Sequence, residues 1–440
     1  MYNLLVLMID CLRQDRLEGG RKSAQTPNLD AFRARSLRFD NVHCVGSNTT
    51  AVMGSWFTGL YPFKHGLRSF RDRKFDTDVP TMASLLKAQG YRTVATVTEA
   101  MAEAEDLLTG FDEIERRDKK KEAIYDGYGE RARRKLAELN QSETPWFFFI
   151  HTCELHADRQ CDPRFRSCRF GRDFYDRSLS SVDFHLGPIL EAINWSNTLV
   201  VVFGDHGDNL IWEPTGEFAS KVMNRLRGDG RVSALWWMRD AFYKAGLYGP
   251  WKAILRRNFL FHHDYHVYRF LTHAPFMIVA PGQGGPRCID AAMSTVDVLP
   301  TLLGLLGLPA AIEVDGVSFA PVIRGETMAP PRRALYQEVV TDFVLKGRDP
   351  SVLRIPLLRA LVEDEWKYID SALDRTIGPE LYNLAEDPHE TRNLYARQRD
   401  STRVRRLQQQ LAGIEPSRRV GPTKPAAAAK AAAAAGGPWH

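Results

Sequence analysis

Short continuous apolar runs recur through the first three hundred residues and alternate with stretches of helical periodicity. The runs lie at residues 4–9, 92–97, 146–151, 199–203 and 276–280. A run of this length without polar alternation is typical of a parallel strand buried on both faces. Helical stretches lie at 26–37, 81–89, 127–140, 176–193 and 295–306. This alternation predicts an α/β domain with a mostly parallel central sheet flanked by helices.

The apolar pattern changes after about residue 310. Runs at 334–340, 358–362 and 366–369 are typical of short antiparallel strands, and residues 397–412 of a closing helix. We therefore predict a catalytic α/β domain over 1–310, a smaller α+β subdomain over 311–415, and a disordered Ala/Pro-rich tail over 416–440. The basic run at 116–121 is interpreted as a solvated turn.

Chemically versatile side chains stand where the predicted strands end. Asp10 follows the first run, His151 closes the third, and Asp205 and His206 follow the fourth, while Thr49 opens a predicted helix. Parallel sheets bind ligands beyond the carboxyl ends of their strands, so we expect these side chains to meet there.

Two carboxylates, an imidazole and a hydroxyl form a reasonable ligand set for a divalent cation. The ligands would be Asp10, Thr49, Asp205 and His206. The mixture of oxygen and nitrogen favours Zn²⁺ or Mn²⁺ over Ca²⁺ or Mg²⁺. Such an ion would lower the pKa of the Thr49 hydroxyl and make it a nucleophile. The plain alternative is that Thr49 is a helix N-cap, which is common for threonine.

Five ordered motifs extend over residues 3–395. They are NLLVLMIDCLRQD (3–15) with TPNLD (26–30), FTGLYPFKHG (57–66), VVFGDHG (201–207), STVDVLPTLL (294–303) and ELYNLAEDPHE (380–390). In this order they resemble the sulfatase family of the alkaline-phosphatase superfamily. The resemblance implies an alkaline-phosphatase-like fold and an ester hydrolase.

The resemblance puts the nucleophile at Thr49, ten residues before Gly59. Sulfatases carry Cys or Ser there, in a Cys/Ser-x-Pro-x-Arg motif that is oxidised to formylglycine, whereas this chain reads TTAVM over 49–53. Threonine cannot form the aldehyde hydrate that sulfatases use. Threonine nucleophiles occur in the phosphorus-processing relatives, such as the phosphodiesterases and the phosphoethanolamine transferases. The resemblance therefore favours phosphate or phosphonate esters over sulfate esters.

The same comparison implies one metal ion. In the diesterases a second metal needs an Asp-x₃-His pair and a further His, and no such pair occurs around 151–160. Cys11 stands where calcium sulfatases carry a second Asp.

The resemblance also indicates residues for the substrate. His156 aligns with a family histidine that contacts the anionic group, and His263 stands where relatives place a substrate-binding His or Lys. Either imidazole could neutralise a phosphoryl oxygen or protonate a leaving group, although loop histidines are often only structural. We add Arg13, Lys64 and His273 as candidate substrate-binding residues.

Composition and charge refine this picture. The chain has 44 % hydrophobic and 26 % charged residues, as soluble globular proteins do, and no apolar run long enough to span a membrane. The first apolar run is too short for a signal peptide and the six cysteines are sparse, so we expect reduced thiols and a cytoplasmic location. A net charge of +5 gives no sign of a nucleic-acid-binding module.

The positive charge is concentrated in one segment. Residues 211–261 contain nine basic and four acidic residues and four of the nine tryptophans. We interpret this segment as an insertion that is either a lid over an anionic, large or lipid-linked substrate or a packing element of the core or of a homo-oligomer.

The sequence thus predicts a metal-dependent hydrolase of phosphate or phosphonate esters, phosphodiesterase-like, that works through a covalent Thr49 intermediate. Three alternatives remain open at this stage. They are a sulfuric-ester hydrolase without formylglycine, a soluble phospho-group transferase, and a non-catalytic binding relative.

Overall fold

The five apolar runs form five strands of one eight-stranded sheet. The computed structural model describes residues 1–69, 72, 74–75, 78–118, 121–156, 159–210, 263, 266–308, 312–327, 330, 332–342, 354–371 and 379–414. The predicted insertion at 211–261 and the predicted tail at 416–440 lie outside these residues.

The large sheet has the order β5-β4-β6-β1-β7-β8-β2-β9. Its strands are β1 (Asn3–Ile9), β2 (Leu37–Phe39), β4 (Arg92–Thr98), β5 (Glu113–Arg117), β6 (Trp146–Thr152), β7 (Thr198–Phe203), β8 (Phe276–Val279) and β9 (Arg287–Ile289). β3 (Val42–His43) pairs with β10 (Met293–Ser294) in a separate two-stranded ladder. β8 runs antiparallel to β7 and β2, whereas β1, β4, β5, β6 and β7 are mutually parallel. The predicted mostly parallel sheet is confirmed.

Helices lie on both faces of this sheet. In chain order, the described helices of this part of the chain are α1 (Gln14–Leu17), α2 (Pro27–Arg35), α3 (Thr49–Thr58), α4 (Pro62–His65), α5 (Met82–Ala88), α6 (Glu99–Ala102), α7 (Gly129–Leu139), α8 (Phe174–Glu191), α9 (Arg269–Thr272), α10 (Val298–Leu305) and α11 (Ala320–Arg324). Short 3₁₀ turns occur at Glu105–Leu108, Pro163–Phe165, Cys168–Phe170 and Thr295–Asp297, with a π turn at Ile124–Tyr128.

The central strand β1 shows why its sequence is apolar throughout. Leu4, Val6 and Met8 pack into the hydrophobic cluster on one face of the sheet. Their neighbours Leu5 and Leu7 pack into the cluster on the other face. Because both faces are covered, polar alternation would bury a polar side chain at every second position.

A second, antiparallel sheet forms the C-terminal α+β unit. It consists of β11 (Leu335–Asp342), β12 (Arg354–Glu363), β13 (Trp366–Ser371) and β14 (Glu380–Asn383) in sequential order. The chain then forms α12 (Tyr395–Gln398) and α13 (Thr402–Gly413), and α13 packs Val404, Leu407 and Leu411 against the sheet. The α+β character predicted for this region is confirmed, with β14 as a further strand. Among the described residues, no helix is long and apolar enough to cross a membrane.

The basic run at 116–121 is not simply a solvated turn. Arg116 and Arg117 end β5, and the Arg117 side chain is completely buried. Arg117 Nη1 lies 2.8 Å from Glu154 Oε1, and its guanidinium lies 3.9 Å from the centre of the Tyr128 ring. Glu154, two residues after β6, compensates the positive charge of Arg117, whose burial would be costly without a partner.

This ion pair gives a test of the fold. We expect Arg117→Gln to lower the free energy of unfolding by about 3–5 kcal/mol, because it leaves the buried Glu154 carboxylate without its cation. The exposed neighbour supplies the control, since Arg116→Gln should change the free energy by no more than about 0.5 kcal/mol. Urea unfolding measures both. Equal effects of the two substitutions would contradict this account.

Candidate active site and metal centre

The site is assembled where the three central strands end. β1 lies between β6 and β7, and all three run in the same direction. Asp10 directly follows β1, His151 is the second-to-last residue of β6, and Asp205 and His206 follow β7. The sheet therefore brings side chains that are up to 196 positions apart in the sequence to one edge.

Thr49 reaches this edge from the first position of α3. The N-cap of α3 is Asn48, whose side chain accepts a hydrogen bond of 2.8 Å from the backbone N–H of Ala51. The capping role is thus filled by a neighbour, and the Thr49 hydroxyl is directed elsewhere. Its Oγ1 lies 3.2 Å from His206 Nε2.

The orientation of His206 follows from its other nitrogen. His206 Nδ1 lies 2.8 Å from the carbonyl oxygen of Gly207, so Nδ1 carries the proton and donates it there. The lone pair of Nε2 then faces Thr49 and Asp205, with Asp205 Oδ2 3.3 Å away. Fixing one imidazole nitrogen in this way is how metal-binding histidines are commonly oriented.

Two buried carboxylate oxygens lack hydrogen-bond donors among the described residues. They are Asp10 Oδ1 and Asp205 Oδ2, in side chains that are almost completely buried. Their companion oxygens are satisfied: Asp10 Oδ2 lies 3.3 Å from His151 Nε2, and Asp205 Oδ1 accepts from the backbone N–H groups of Cys11 and His206. A buried carboxylate oxygen without a donor is costly unless a cation binds it.

The electrostatics differ between the two acids. Burial raises the pKa of Asp205, and the charge of Asp10 raises it further, although His206 opposes the shift. Burial also raises the pKa of Asp10, but His156, His151 and His206 together outweigh it and hold the pKa well below its usual range. A bound cation would favour the ionised form of both acids.

Cys11 belongs to the same cluster, and its backbone conformation is unusual. Its φ of +61° is in the left-handed region, which residues other than glycine seldom adopt. Two hydrogen bonds hold it there: its N–H donates to Asp205 Oδ1 over 3.1 Å, and its carbonyl accepts from the Tyr175 hydroxyl over 2.7 Å. Burial, together with Asp10, Asp208 and Asp205, raises the pKa of the Cys11 thiol well above its usual range.

The potential ligand atoms form two overlapping groups. Asp10, Cys11 and His206 have ligand atoms within 4.8 Å of one another, as do Cys11, His156 and His263. The His263 ring centre lies 4.8 Å from that of His156 and 4.6 Å from that of His206. The structure thus brings together Asp10, Thr49, Asp205, His206, His156 and His263, all of which were candidates from the sequence.

Asp208 orients His263, and sequence reasoning did not find it. Asp208 Oδ1 lies 3.4 Å from His263 Nδ1, and Arg159 Nη2 donates to Asp208 Oδ2 over 2.6 Å. Both side chains are buried. The available signal was the position of Asp208 only two residues after His206, but spacing alone could not show which histidine it would contact.

The remaining candidates fall into two groups. Arg13 and His273 line a cavity beside the cluster, with Arg13 Nη1 donating to the Asp208 carbonyl over 2.8 Å. Lys64 does not join them, which corrects the expectation that it binds substrate there. Its ammonium pairs with Asp315, whose backbone N–H donates to the Gly59 carbonyl at the C-terminal end of α3. Thr49 is at the opposite, N-terminal end of α3, and the two ends of that helix are about 15 Å apart.

Two protein-family models match this chain. A family model described as "Sulfatase" matches residues 2–308, and one described as "N-sulphoglucosamine sulphohydrolase, C-terminal" matches residues 259–416. Among curated proteins, an arylsulfatase K of Gallus gallus is 28 % identical over 130 residues, 29 % of this chain and 23 % of that protein. An endo-4-O-sulfatase of Bacteroides thetaiotaomicron is 25 % identical over 234 residues, 50 % of this chain and 37 % of that protein. These matches thus span less than half of either relative.

Solved structures share the fold over nearly the whole chain. The phosphonate monoester hydrolase of Agrobacterium radiobacter superposes with a TM-score of 0.69 at 17 % identity, covering 94 % of this chain and 95 % of that one. The phosphonate monoester hydrolase of Silicibacter pomeroyi gives 0.67 at 17 % identity, covering 94 % and 95 %. A 2-O GAG sulfatase gives 0.66 at 18 % identity, covering 94 % and 91 %. The alkaline-phosphatase-like fold is confirmed.

The hydroxyl of Tyr175 supports the strained backbone at Cys11, and this can be tested. It donates to the Cys11 carbonyl and accepts from the Arg13 N–H over 2.9 Å. We expect Tyr175→Phe to lower the free energy of unfolding by about 1–3 kcal/mol, because both buried backbone groups lose a partner. In the half-exposed control Tyr2→Phe, urea unfolding should be unchanged. A neutral effect of Tyr175→Phe would show that the hydroxyl does not hold this turn.

Proposed function

The chain belongs to the sulfatase family, and we propose that it is a metal-dependent hydrolase of phosphate or phosphonate esters acting through a covalent Thr49 intermediate. One observation carries the proposal. Because Asn48 caps the helix, the Thr49 hydroxyl is free for chemistry: it lies 3.2 Å from His206 Nε2, in the cluster where two buried carboxylate oxygens have no donor among the described residues.

The residues present fit a divalent cation. Asp10, Thr49, Asp205 and His206 would hold it, since the donorless oxygens of both acids and the Nε2 lone pair of His206 face the same cluster. This set of oxygen and nitrogen donors, with the Cys11 sulfur beside it, favours Zn²⁺ or Mn²⁺ over Ca²⁺ or Mg²⁺. When bound, the cation would lower the pKa of the Thr49 hydroxyl and offset the negative charge of the ester.

The protein residues then divide the reaction between them. Thr49 Oγ1 releases its proton to solvent and forms a bond to phosphorus, while the bond from phosphorus to the leaving alcohol oxygen breaks. His263 or His156 gives a proton to that oxygen. Asp208 acts as a positioning residue, because it orients the His263 ring through Nδ1. In the second half-reaction water attacks phosphorus and the bond from phosphorus to Thr49 Oγ1 breaks. One proton of that water passes to Thr49 Oγ1, and the remaining hydroxyl stays on phosphorus.

Threonine at position 49 supports phosphorus rather than sulfur as the reacting centre. It has no route to an aldehyde hydrate, so a sulfated Thr49 would have to be released by direct attack of water on sulfur. A sulfuric-ester hydrolase remains the second candidate, because the curated relatives named above are sulfatases. Parallel assays of an aryl sulfate, an aryl phosphonate monoester and an aryl phosphodiester separate the two candidates. Product analysis with an added alcohol separates a hydrolase from a transferase.

The nucleophile can be tested with a matched neighbour. We expect Thr49→Ala to lower kcat on the preferred ester by at least about 10⁴-fold while the protein remains folded, because no covalent intermediate can form. Thr50→Ala, one position along the same helix turn, should keep activity close to that of the wild-type protein. Steady-state kinetics and circular dichroism report the two quantities. Retained turnover in Thr49→Ala would rule out the proposed nucleophile.

Metal content gives a test that is independent of activity. We expect elemental analysis of the purified protein to find about one equivalent of Zn²⁺ or Mn²⁺ per chain. Loss of a residue that only supports a ligand weakens metal binding by roughly 10- to 100-fold. Asp205→Asn should lower the affinity for the metal ion by more than this, because it alters a ligand itself. Asp162→Asn is the control, because this carboxylate pairs with Arg164 and His185 instead. Undiminished metal in Asp205→Asn would contradict the assigned ligands.

A further inference from the structure

A cavity of about 1000 Å³ lies beside the cluster of candidate site residues around Asp205, His206 and His263, called the catalytic cluster below. Its walls come from the segment around α1, from residues 268–273 around α9, and from residues 382–393 of the C-terminal unit. Arg13 and Asn209 connect it to the cluster: Arg13 binds the Asp208 carbonyl, and Asn209 follows Asp208 in the chain. The cavity is therefore positioned to hold a part of the substrate that extends away from the reacting group.

Four arginines line this cavity, and three of them are neutralised by carboxylates. Arg13 pairs with Asp15 at 2.7 Å, Arg21 pairs with Asp15 at 3.4 Å, and Arg16 pairs with Asp173 at 2.7 Å and with Asp176 at 3.0 Å. Their charges are already committed to protein acids.

The fourth arginine, Arg269, is different. Among the described residues its guanidinium makes no hydrogen bond and no ion pair. The nearby Glu390 carboxylate is occupied, because its Oε1 lies 2.9 Å from Lys367 Nζ and its Oε2 accepts from the Arg269 backbone N–H. Burial lowers the pKa of Arg269, and Glu390 offsets this only in part. A half-buried cation that borders a cavity without a partner is a strong anion-binding group.

The other groups around Arg269 do not satisfy it. His273 Nε2 donates to the Asp40 carbonyl over 2.9 Å, so Nδ1 carries only a lone pair. Burial, with the charge of Arg269, lowers the pKa of His273 to about 4, which keeps this ring neutral at physiological pH. The aromatic rings of Tyr268, Phe270 and Tyr382 complete the nearby walls. Four acids also line the cavity, and each already has a partner: Asp15 pairs with Arg13, Glu18 with Arg33 and Glu390 with Lys367, while Asp40 accepts from the Cys288 thiol. Among the described residues of the lining, Arg269 is thus the arginine that has no ion-pair partner.

We propose that this cavity binds a second anionic group of the substrate, carried on the leaving alcohol, through the guanidinium of Arg269. The group would be a phosphate, sulfate or carboxylate, which all present the paired oxygens that a guanidinium binds. This inference rests on the proposed function, because it assigns the cavity to the leaving-group side of the ester. Arg269 is then a specificity residue that selects doubly anionic substrates.

A series of stable bisphosphonates tests the proposal by direct binding. Alkane-α,ω-bisphosphonates from butane to decane carry two anionic groups at increasing separation, and their carbon–phosphorus bonds are not cleaved by an ester hydrolase. Isothermal titration calorimetry on the full wild-type chain compares each with the alkylphosphonate of the same length. One bisphosphonate should have the length that spans from the reacting-group site to Arg269. We expect it to bind at least about tenfold more tightly than its alkylphosphonate, because it makes one additional charge-assisted contact.

Two variants of Arg269 test whether this residue is the source of the gain in affinity. Arg269→Gln should abolish it while leaving the affinity for the alkylphosphonates unchanged, and Arg269→Lys should retain part of it because it keeps the charge. Arg21→Gln is the matched control, since this arginine lines the same cavity but is already paired, and it should keep the full gain. Absence of a gain at every length, or an undiminished gain in Arg269→Gln, would overturn the proposal.

The outcome is separable from that of the proposed function. Binding by Arg269 requires no turnover, so it would persist if Thr49→Ala showed that Thr49 is not the nucleophile. Conversely, full Thr49-dependent hydrolysis with no gain from a second anionic group would reject the cavity assignment alone.

Discussion

The structure depends on the burial of two carboxylates at one edge of a parallel sheet. Asp10 and Asp205 are brought together because β1 and β7 are adjacent and parallel, and each keeps one oxygen without a donor among the described residues. Such an arrangement is unfavourable for the protein alone, since like charges in a low dielectric repel and each has lost its hydration. The surrounding features, from the fixed His206 ring to the strained Cys11 backbone, keep these oxygens directed at a common point.

The fold was largely predictable because the central strands of its large sheet are buried on both faces. The uninterrupted apolar runs of β1, β6 and β7 arise from that burial, and the polar residues that follow them mark the active edge. The antiparallel direction of β8 was not predictable, because an apolar run has no polarity and its partners are decided by the connection that precedes it. Arg117 misled the sequence interpretation for a related reason: its partner Glu154 is 37 positions away.

The sequence predicted the residues that would bind the metal ion and substrate, but not the residues that hold them in position. Motif positions indicated Asp10, Thr49, Asp205 and His206, whereas Tyr175 and Asp208 act through contacts that only the folded chain reveals. Lys64 shows the opposite error, since a basic residue near the nucleophile in sequence is separated from it by the length of α3. Closeness in sequence does not mean closeness to the site here, because each residue of a helix adds about 1.5 Å along its axis, in about ten residues roughly 15 Å.

The central claim is that Thr49 carries the reacting group during turnover. The most direct measurement is mass spectrometry of the protein quenched in acid during hydrolysis of an aryl phosphonate monoester, followed by mapping of the modified peptide. The account predicts a phosphonyl adduct on Thr49 in the wild-type protein. An adduct on another residue, or turnover with no adduct at any quench time in rapid-quench experiments, would contradict it.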